Sequence, residues 1–391
     1  TKIGIRGVSN VSGNQLGTFS GASPVGVYLN DVPIQGSGQL PDLDLYDLDR
    51  IEVLKGPQGT LYGEGAMGGA VRMILKQPAF GAPDFKTEGG LSHTAHGGWN
   101  QSFKFAGGFA LSETLAVRAV GTGKWESGYI DLINQGRDDA NDSEQQSLRL
   151  MSHWAASEAM DVDLLYLKDR SDLSGSPNVK PELRKQYQNE VFEAEQAKSD
   201  LDIVGLTLKY RFESADLSAV SAYSQGTRDA VFRLGLIRDL LTGNLETALG
   251  QALAEALIDL SFDAAEIRQE PFDNHVEDRG FSQEIRLVSS GDGPLSWIGG
   301  LYYQDRKQSY DQLLTIDRQC PVSRANCHAS ATSRSSSTRS SASSTTSSRR
   351  ASKPPSARVT SMKRSASTIA SRPMASPPQS RRLRWNPIRH C

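Results

Sequence analysis

Large hydrophobic residues and polar or small residues alternate one by one along much of the chain after residue 85. In the clearest segment, every second residue from 204 to 212 is large and apolar or aromatic, and the residues between are glycine, threonine, lysine and arginine. The large ones are Val204, Leu206, Leu208, Tyr210 and Phe212. Successive side chains of a strand point to opposite faces of the sheet. The segment therefore predicts a strand with one apolar and one polar face.

The alternation predicts nine antiparallel strands, each about as long as the ~9 to 11 residues that a tilted strand needs to cross hydrocarbon. They lie near residues 85–95, 100–110, 114–127, 143–155, 160–170, 201–213, 216–228, 281–290 and 295–306. After a first short link, short and long links alternate. The short links lie near Ser112, Ser157, Ser214 and 291–294, and the long ones are 128–142, 171–200 and 229–278.

Short turns at one rim and long loops at the other are typical of membrane β-barrels, whose long loops face the cell exterior. A soluble β-sandwich also alternates, but its links need not follow this order of lengths and its outer faces are polar. The pattern therefore favours barrel strands over a sandwich. Within the longest link, leucines spaced three or four apart from Leu245 to Leu260, after Asn244 as N-cap, predict an amphipathic helix that packs over the barrel mouth or closes it.

Composition agrees with strands rather than membrane helices. Of the 391 residues 37% are hydrophobic, and no stretch approaches the ~18 consecutive apolar residues of a spanning helix. Charge divides the chain near Cys320. Residues 320–391 hold 14 of the 43 basic residues, 20 serines and no acidic residue, whereas residues 1–319 hold all 45 acidic residues and no cysteine. A long stretch without cysteine fits passage through an oxidising compartment.

No catalytic, metal or cofactor site is predicted. The glycines of GEGAMG at 63–68 match a dinucleotide-binding spacing, but Pro78 ends the short segment that would have to be a helix. The acidic run Asp42, Asp44, Asp47 and Asp49 lacks the pattern of a calcium loop and is interpreted as a solvated edge segment. His93 and His96 have no third ligand nearby in the sequence and are interpreted as surface histidines.

Three motifs in the first 70 residues occur in a familiar order. They are Ile5-Arg6-Gly7, PVGVYLNDVPIQG at 24–36 and DRIEVLKGPQGTLYG at 49–63, the last followed by Gly68 and Gly69. Together they resemble the plug domain of TonB-dependent outer-membrane receptors. The resemblance covers about the second half of a typical plug, so the N-terminal half with the TonB box is expected before Thr1.

The resemblance implies a mainly β protein with a small mixed plug domain followed by antiparallel transmembrane β-barrel strands. In the family a 22-stranded barrel encloses the plug, and TonB drives uptake of a scarce solute across the outer membrane. The expected partners are therefore TonB, a small-molecule ligand and outer-membrane lipid. A ferric siderophore is the default ligand, and cobalamin, a carbohydrate or another chelate are the alternatives.

The resemblance also assigns roles to plug residues. Four charged residues in the motifs are expected to latch the plug to the barrel wall: Arg6, Arg50, Glu52 and Lys55. Ligand contacts are expected at two apical loops, from polar side chains that can hydrogen-bond a solute. These are Asn10, Asn14, Gln15, Gln35, Ser37 and Gln39.

The chain departs from the family's pattern after about nine strands. The expected division is a plug at 1–80, a partial barrel at 85–319 and a Ser/Arg-rich tail at 320–391. Such a tail could be a basic arm for nucleic acid or anionic lipid, natural low-complexity disorder, or out-of-frame translation of a gene that otherwise continues as barrel. The last interpretation is favoured, with a disordered tail as its consequence and no nucleic-acid partner; the product would then be a truncated, non-functional remnant. Cys320 and Cys327 form a candidate loop disulfide.

Overall fold

In the computed structural model the chain is built of β-strands and the links between them. The structure describes residues 3–6, 8–9, 25–34, 43–57, 68–175, 183, 186–189, 195–233, 267–269, 271–290, 295–318, 328–350 and 384–385. Within those ranges no helix is long and apolar enough to cross a membrane. The predicted helix near 245–260 and the candidate disulfide between Cys320 and Cys327 lie outside the described residues.

The N-terminal part, here called the plug, contains six short strands. They are β1 (Gly4–Ile5), β2 (Val8–Ser9), β3 (Val25–Leu29), β4 (Val32–Pro33), β5 (Leu48–Lys55) and β6 (Gly69–Leu75). The first two pair with each other, and the other four form a sheet in the order β4-β3-β6-β5. Strands β3 and β6 run parallel, and the two outer pairs are antiparallel. The plug is therefore a small mixed sheet.

The remaining strands form one large antiparallel sheet, here called the wall, and a small parallel pair. They are β7 (Asp84–His93), β8 (Trp99–Ala110), β9 (Leu115–Glu126), β10 (Asp131–Leu132), β11 (Ser143–Ala155), β12 (Met160–Leu173), β13 (Gln188–Asn189), β14 (Gln196–Arg211), β15 (Ala215–Arg233), β16 (Ile267–Gln269), β17 (Pro271–Ser289), β18 (Leu295–Arg318), β19 (His328–Arg350) and β20 (Arg384–Trp385). The wall runs in the order β7-β8-β9-β11-β12-β14-β15-β17-β18-β19-β20, β16 pairs with β18, and β10 pairs with β13.

All nine predicted strands are confirmed, as β7, β8, β9, β11, β12, β14, β15, β17 and β18. Four of them extend at least five residues beyond the predicted bounds toward the long links: β14 begins at Gln196, β15 continues to Arg233, β17 begins at Pro271, and β18 continues to Arg318. The added residues are largely polar on both faces, so they carry no alternation. Their backbone groups nevertheless continue the ladders of hydrogen bonds, which do not depend on side-chain type.

The two faces of the wall differ as the alternation predicts. On the face away from the plug, here called the outer face, large apolar and aromatic side chains remain exposed. Examples are Trp99, Phe103, Leu148, Leu164, Leu206, Phe281 and Leu301. Their neighbours along each strand lie on the opposite face and are half-buried or buried. A row of exposed large apolar residues around a sheet is the arrangement that a lipid-facing surface requires.

The links also follow the predicted order. The strand pairs β8–β9, β11–β12, β14–β15 and β17–β18 have their short connections at one rim of the wall, here called the short-turn rim. The strand ends joined by the long links, from β9 to β11, from β12 to β14 and from β15 to β17, lie at the opposite rim. The long links therefore all begin and end on one side of the sheet.

Residues His328–Arg350 of the tail are a strand and not the expected disordered segment. They form β19, which pairs with β18 so that Leu295 lies opposite Arg350 at one end and Asp317 lies opposite His328 at the other. The physical reason is that the outer edge of β18 presents a row of backbone donors and acceptors, and any extended segment can pair with them. Side-chain alternation, on which the prediction rested, gives no information about this backbone pairing.

Candidate functional site at the plug–wall interface

A two-residue turn shapes the plug sheet where it meets the wall. Asn30 and Asp31 connect β3 to β4, and Asn30 has a left-handed φ of 54°, which asparagine tolerates better than most residues. The Asn30 backbone N–H donates to the Met73 carbonyl at 2.8 Å, and the Asn30 Oδ1 accepts from the Leu75 N–H at 2.9 Å. The turn is thus tied to the end of β6, and it directs Val32 toward the wall.

The plug packs against the wall through one apolar cluster, here called the apolar seat. Its buried members come equally from the plug and from strands β11, β12, β14 and β15. The plug contributes Val27, Leu29, Val32, Ile34, Met73 and Leu75, and the wall contributes Met151, Leu165, Leu167, Ile203, Val220 and Ala222. Burying a Val, Leu, Ile or Met side chain stabilises a protein by about 1.5–3 kcal/mol. The apolar seat is therefore a large part of what holds the plug to the wall.

Gly205 on β14 makes the closest approach within this interface. A Cβ at that position would lie 2.4 Å from Val32 Cγ2 and 3.6 Å from Val32 Cβ. The first distance is far below van der Waals contact, so only glycine leaves room for Val32 as it stands. This glycine is one reason why the plug turn can reach the wall backbone.

An ionic cluster joins the plug to the wall toward the short-turn rim, and it is here called the Asp47 cluster. Arg118 on β9 grips both carboxylate oxygens of Asp47, with its Nε 2.7 Å from Oδ2 and its Nη2 2.8 Å from Oδ1. The Arg118 and Asp47 side chains are only 1% and 3% exposed. The third guanidinium nitrogen, Nη1, donates to Asp84 at 2.8 Å. Asp84 is the first residue of β7, so the cluster also ties the plug to the start of the wall.

Arg149 on β11 adds a second contact to the same plug loop. Its Nη2 donates to the Tyr46 carbonyl at 2.8 Å and more weakly to the Asp47 carbonyl at 3.4 Å. The Tyr46 ring packs with Ala106 and Val120 of the wall. Burial raises the pKa of the Tyr46 hydroxyl, which keeps it neutral at physiological pH. The loop that carries Asp47 is thus gripped by two buried arginines from two wall strands.

This cluster corrects the interpretation of the acidic run. Asp49 is exposed as expected, but Asp47 is buried with a left-handed φ of 62° and carries the ion pair to the wall. The signal that could have identified it is the presence of Arg118 and Arg149 at positions of the wall that face the plug. Such arginines need carboxylates when buried, but the sequence does not say which ones.

The four predicted latch residues are arranged differently. Arg6 and Lys55 are exposed. Arg50 bonds Asp49 and Glu52, and Glu52 in turn bonds Arg72, whose Nη2 donates to Asp31 at 2.8 Å. The hydrogen bond from Arg50 lowers the pKa of Glu52, so this carboxylate stays charged. These hydrogen bonds of Arg50 and Glu52 stay within the plug, and their role as latches to the wall remains a prediction.

A cavity of about 210 Å³ lies beside this chain of ion pairs, between the plug and the wall. Both parts contribute polar and apolar side chains to it. It is lined by Asn30, Asp31, Val32, Arg50, Arg72, Ile74, Gln77, Met151, Asp163, Leu164, Leu165, Gly205, Thr207 and Lys209. The plug therefore does not fill the space against β11, β12 and β14 completely.

Aromatic residues group at the opposite rim, among the long links. The rings of His96 and Tyr187 stack with centroids 4.5 Å apart, and Tyr129 meets Tyr187 edge-on at 6.3 Å. His93 packs edge-on against Trp99. His93 and His96 thus make ring contacts, and among the described residues no three His, Cys, Asp or Glu side chains are arranged to hold a metal ion.

The predicted ligand contacts cannot be located in this geometry, because all six lie outside the described residues. They are Asn10, Asn14, Gln15, Gln35, Ser37 and Gln39.

Comparison with known proteins agrees with this arrangement. A family described as the TonB-dependent Receptor Plug Domain matches residues 1–70. A large antiparallel wall with exposed apolar residues on its outer face follows that plug. The chain is therefore similar to the TonB-dependent receptors, by sequence in its plug and by fold in its wall.

Two curated receptors are similar in sequence to part of the chain. The pesticin receptor of Yersinia pestis is 31% identical over 121 residues, which cover 29% of this chain and 16% of the relative. The ferrioxamine receptor of Yersinia enterocolitica is 37% identical over 86 residues, which cover 22% of this chain and 11% of the relative. The chain thus matches a small part of these relatives' length.

Solved structures show the same fold over most of the chain. The ferric yersiniabactin uptake receptor from Yersinia pestis matches 87% of this chain and 55% of its own, with a TM-score of 0.56 and 17% identity. The ferric-catecholate import receptor from E. coli K12 matches 82% of this chain and 59% of its own, with a TM-score of 0.52 and 13% identity. The chain therefore spans a little over half of these structures.

Proposed function

We propose that the whole protein is a receptor for energy-coupled uptake of a scarce solute through the outer membrane, and that the solute is a ferric siderophore. The observation that carries this proposal is a plug held against the inner face of the wall by the apolar seat and the Asp47 cluster. A plug held there blocks passage until it is moved, which is the property that an energised gate needs. The names of the pesticin, ferrioxamine and ferric yersiniabactin receptors support the choice of a siderophore.

The energy source in this proposal is TonB, pulling on plug segments that precede those described. We infer that residues 1–80 act as the plug, 85–319 as the barrel part and 320–391 as a tail. The solute would first bind outside the cell, at the two plug segments that contain Asn10 and Gln35 and at the aromatic group around Tyr187. The protein carries out no chemical reaction on its ligand.

Within this proposal the Asp47 cluster is the latch between plug and wall. The buried Asp47 carboxylate of the plug accepts two short charge-assisted hydrogen bonds from Arg118 of the wall, and the buried Arg149 of the wall donates to the Tyr46 carbonyl in the same plug loop. Breaking such a pair is costly unless both partners gain water at once. The cluster thus resists small displacements of the plug and yields to a large one.

A second candidate is a truncated remnant without transport function, which the composition of residues 320–391 favours. A stretch with 14 basic residues and no acidic one follows a body rich in both. Sequencing the gene across the codons for 326–336 decides this point. A second reading frame that encodes further alternating strands would favour the remnant, and its absence would favour a native basic tail.

Uptake by cells tests the main proposal. A strain lacking the gene, and the same strain carrying the whole gene, are grown under iron limitation with ferric yersiniabactin or ferrioxamine as the sole iron source. We expect radio-iron to accumulate only when the gene is present and TonB is functional. Cobalamin and an oligosaccharide, offered in the same way, test the alternative ligands. Equal accumulation with and without the gene, for every solute, would reject the receptor function.

A further inference from the structure

The inner face of the wall changes character beyond the apolar seat. On β17 and β18, Phe281, Ile285 and Leu301 are exposed on the outer face, so the alternate residues face inward. Six inward positions in a row on β18 are polar or carry a hydroxyl. They are Tyr302, Gln304, Arg306, Gln308, Tyr310 and Gln312, here called the polar stripe.

The polar stripe contains several hydrogen-bonded pairs of side chains. The Tyr310 hydroxyl donates to Gln308, and the Tyr302 hydroxyl donates to Gln304 at 3.3 Å. Gln312 Nε2 donates to Asn274 on β17 at 2.9 Å. The three glutamines are between 4% and 9% exposed, so the stripe is closed in this structure. Burying a row of amides and phenols lowers the free energy of unfolding unless their polar groups are hydrogen-bonded.

The charges of the stripe are balanced. Its only cation, Arg306, is paired with Asp278 on β17, with its Nε 2.9 Å from Oδ1. The next inward pair toward the short-turn rim, Arg286 and Glu284, is also matched at 2.9 Å. This part of the wall therefore offers donors and acceptors without a net charge. That chemistry suits a solute rich in hydroxyl, amide and carbonyl groups whose own charges are largely compensated.

The two inner surfaces respond differently to water. Opening the apolar seat exposes twelve buried apolar side chains, which water does not stabilise. Opening the polar stripe exposes amides, phenols and paired charges, which exchange their hydrogen bonds for bonds to water at little net cost. A passage therefore opens more readily along β17 and β18 than along β11 to β15.

We propose that the solute crosses along the polar stripe, while β3, β4 and β6 of the plug keep their contact with the apolar seat. This inference rests on the proposed function. The amides and phenols of the stripe replace part of the solute's hydration as it moves past them. The plug then acts as a gate that opens on one side and does not leave the barrel as a whole.

A disulfide across the apolar seat tests the first half of the proposal. The Cβ positions of residues 32 and 205 lie 3.6 Å apart, which is within the range of disulfides. Val32→Cys with Gly205→Cys, in the whole protein with Cys320, Cys327 and Cys391 replaced by serine, is compared before and after oxidation. The probe is radio-iron bound to yersiniabactin, with ferrioxamine as a second probe.

We expect uptake by the oxidised pair to stay within about twofold of the reduced pair, because β4 keeps its contact with the apolar seat during transport in this proposal. Uptake that is normal when reduced and abolished when oxidised would show that the plug leaves the apolar seat, and would overturn the inference. No uptake by the wild-type receptor would instead reject the proposed function, so the two failures are distinguishable.

Glutamine replacements test the second half. Gln304→Leu with Gln308→Leu keeps side-chain volume but removes hydrogen-bonding groups from the stripe. The control is Gln283→Leu, which makes the same change on the outer side of neighbouring β17. We expect uptake to fall about tenfold in the stripe variant, since a lost hydrogen bond is worth about that factor, with surface binding of the ferric siderophore unchanged. The control should retain uptake.

Unchanged uptake in the stripe variant would overturn the inference. Thermal unfolding in detergent, compared with the wild type, shows whether both variants fold. If the stripe variant does not fold, single changes at Gln304 and at Gln308 are measured in its place, and the same two outcomes apply.

Discussion

Asp47 shows how much a single residue depends on its surroundings. It lies in a run of aspartates that alternate with leucines, and each of them would be well solvated on an exposed edge. Of the aspartates that the structure describes in this run, Asp47 is the buried one, with a left-handed backbone that brings both carboxylate oxygens to Arg118. A few residues away, Asp49 pairs with Arg50 at the surface, where water screens the interaction. The same residue type thus has a structural role at one position and none at the other.

Replacing Asp47 by asparagine should destabilise the plug–wall contact. The change leaves the buried Arg118 without its bidentate carboxylate, and removing one partner of a buried pair costs about 3–5 kcal/mol. We expect a lower thermal unfolding temperature in detergent and faster proteolysis of the plug. Asp49→Asn is the matched control and should leave both measurements nearly unchanged. Equal stability of the two variants would contradict the role assigned to Asp47.

Replacing Gly205 by alanine should also destabilise the protein, for a steric reason. The new methyl group would lie 2.4 Å from Val32 Cγ2, and overpacking of this kind costs about 1–3 kcal/mol. Val32→Ala in the same chain removes the overlapping atoms. A double-mutant cycle measured by thermal unfolding should therefore give a double variant that loses less stability than the sum of the single changes. Simple additivity would mean that the two residues do not meet.

At the scale of the element, β14 shows how the two faces of a wall strand differ. Its outer residues Val204 and Leu206 are exposed, whereas the inner residues Ile203 and Thr207 are buried. On β11, β12, β14 and β15 the inner face is apolar where the plug packs, and on β18 it is polar along the stripe. The strands share one architecture, but their inner surfaces divide the lumen into two environments.

A charge placed on the outer face should be costly in the middle of a strand and mild at its end. Leu206→Arg puts a cation in the middle of the apolar outer face, where the expected cost is about 2–4 kcal/mol. Phe212→Arg makes the change on the same face just after β14 ends, where the cost falls to about 0–1 kcal/mol. Unfolding titrations in lipid vesicles measure both. A mild effect at Leu206 would show that this face does not meet hydrocarbon.

At the scale of the whole molecule, the two rims have different tasks. The Asp47 cluster lies toward the short-turn rim, where the plug enters the wall at Asp84. The long links and the aromatic group of His96, Tyr129 and Tyr187 lie at the opposite rim. Under the proposed function, ligand capture at the rim with the long links and coupling to an energy source at the short-turn rim are separated by the height of the wall.

The orientation predicts which positions can be labelled from outside the cell. In the whole protein with Cys320, Cys327 and Cys391 replaced by serine, a cysteine is introduced at Asp138 in a long link or at Glu158 in a short turn. Both residues are exposed. A membrane-impermeant maleimide should label Asp138→Cys on intact cells, and Glu158→Cys only after the outer membrane is permeabilised. The reverse pattern would invert the proposed topology.

The sequence by itself determined the positions of the nine strands, their outer faces, the order of short and long links and the kinship of the first 70 residues. These features are local, because alternation and motif spacing are properties of neighbouring residues and survive in any tertiary context. Only the tertiary structure decided that Asp47 meets Arg118, 71 residues away, that Val32 fills the space left by Gly205, and that the edge of β18 pairs with β19. Those contacts join segments that are far apart in the chain, and they depend on the register and packing of the whole sheet, which no single stretch of sequence encodes.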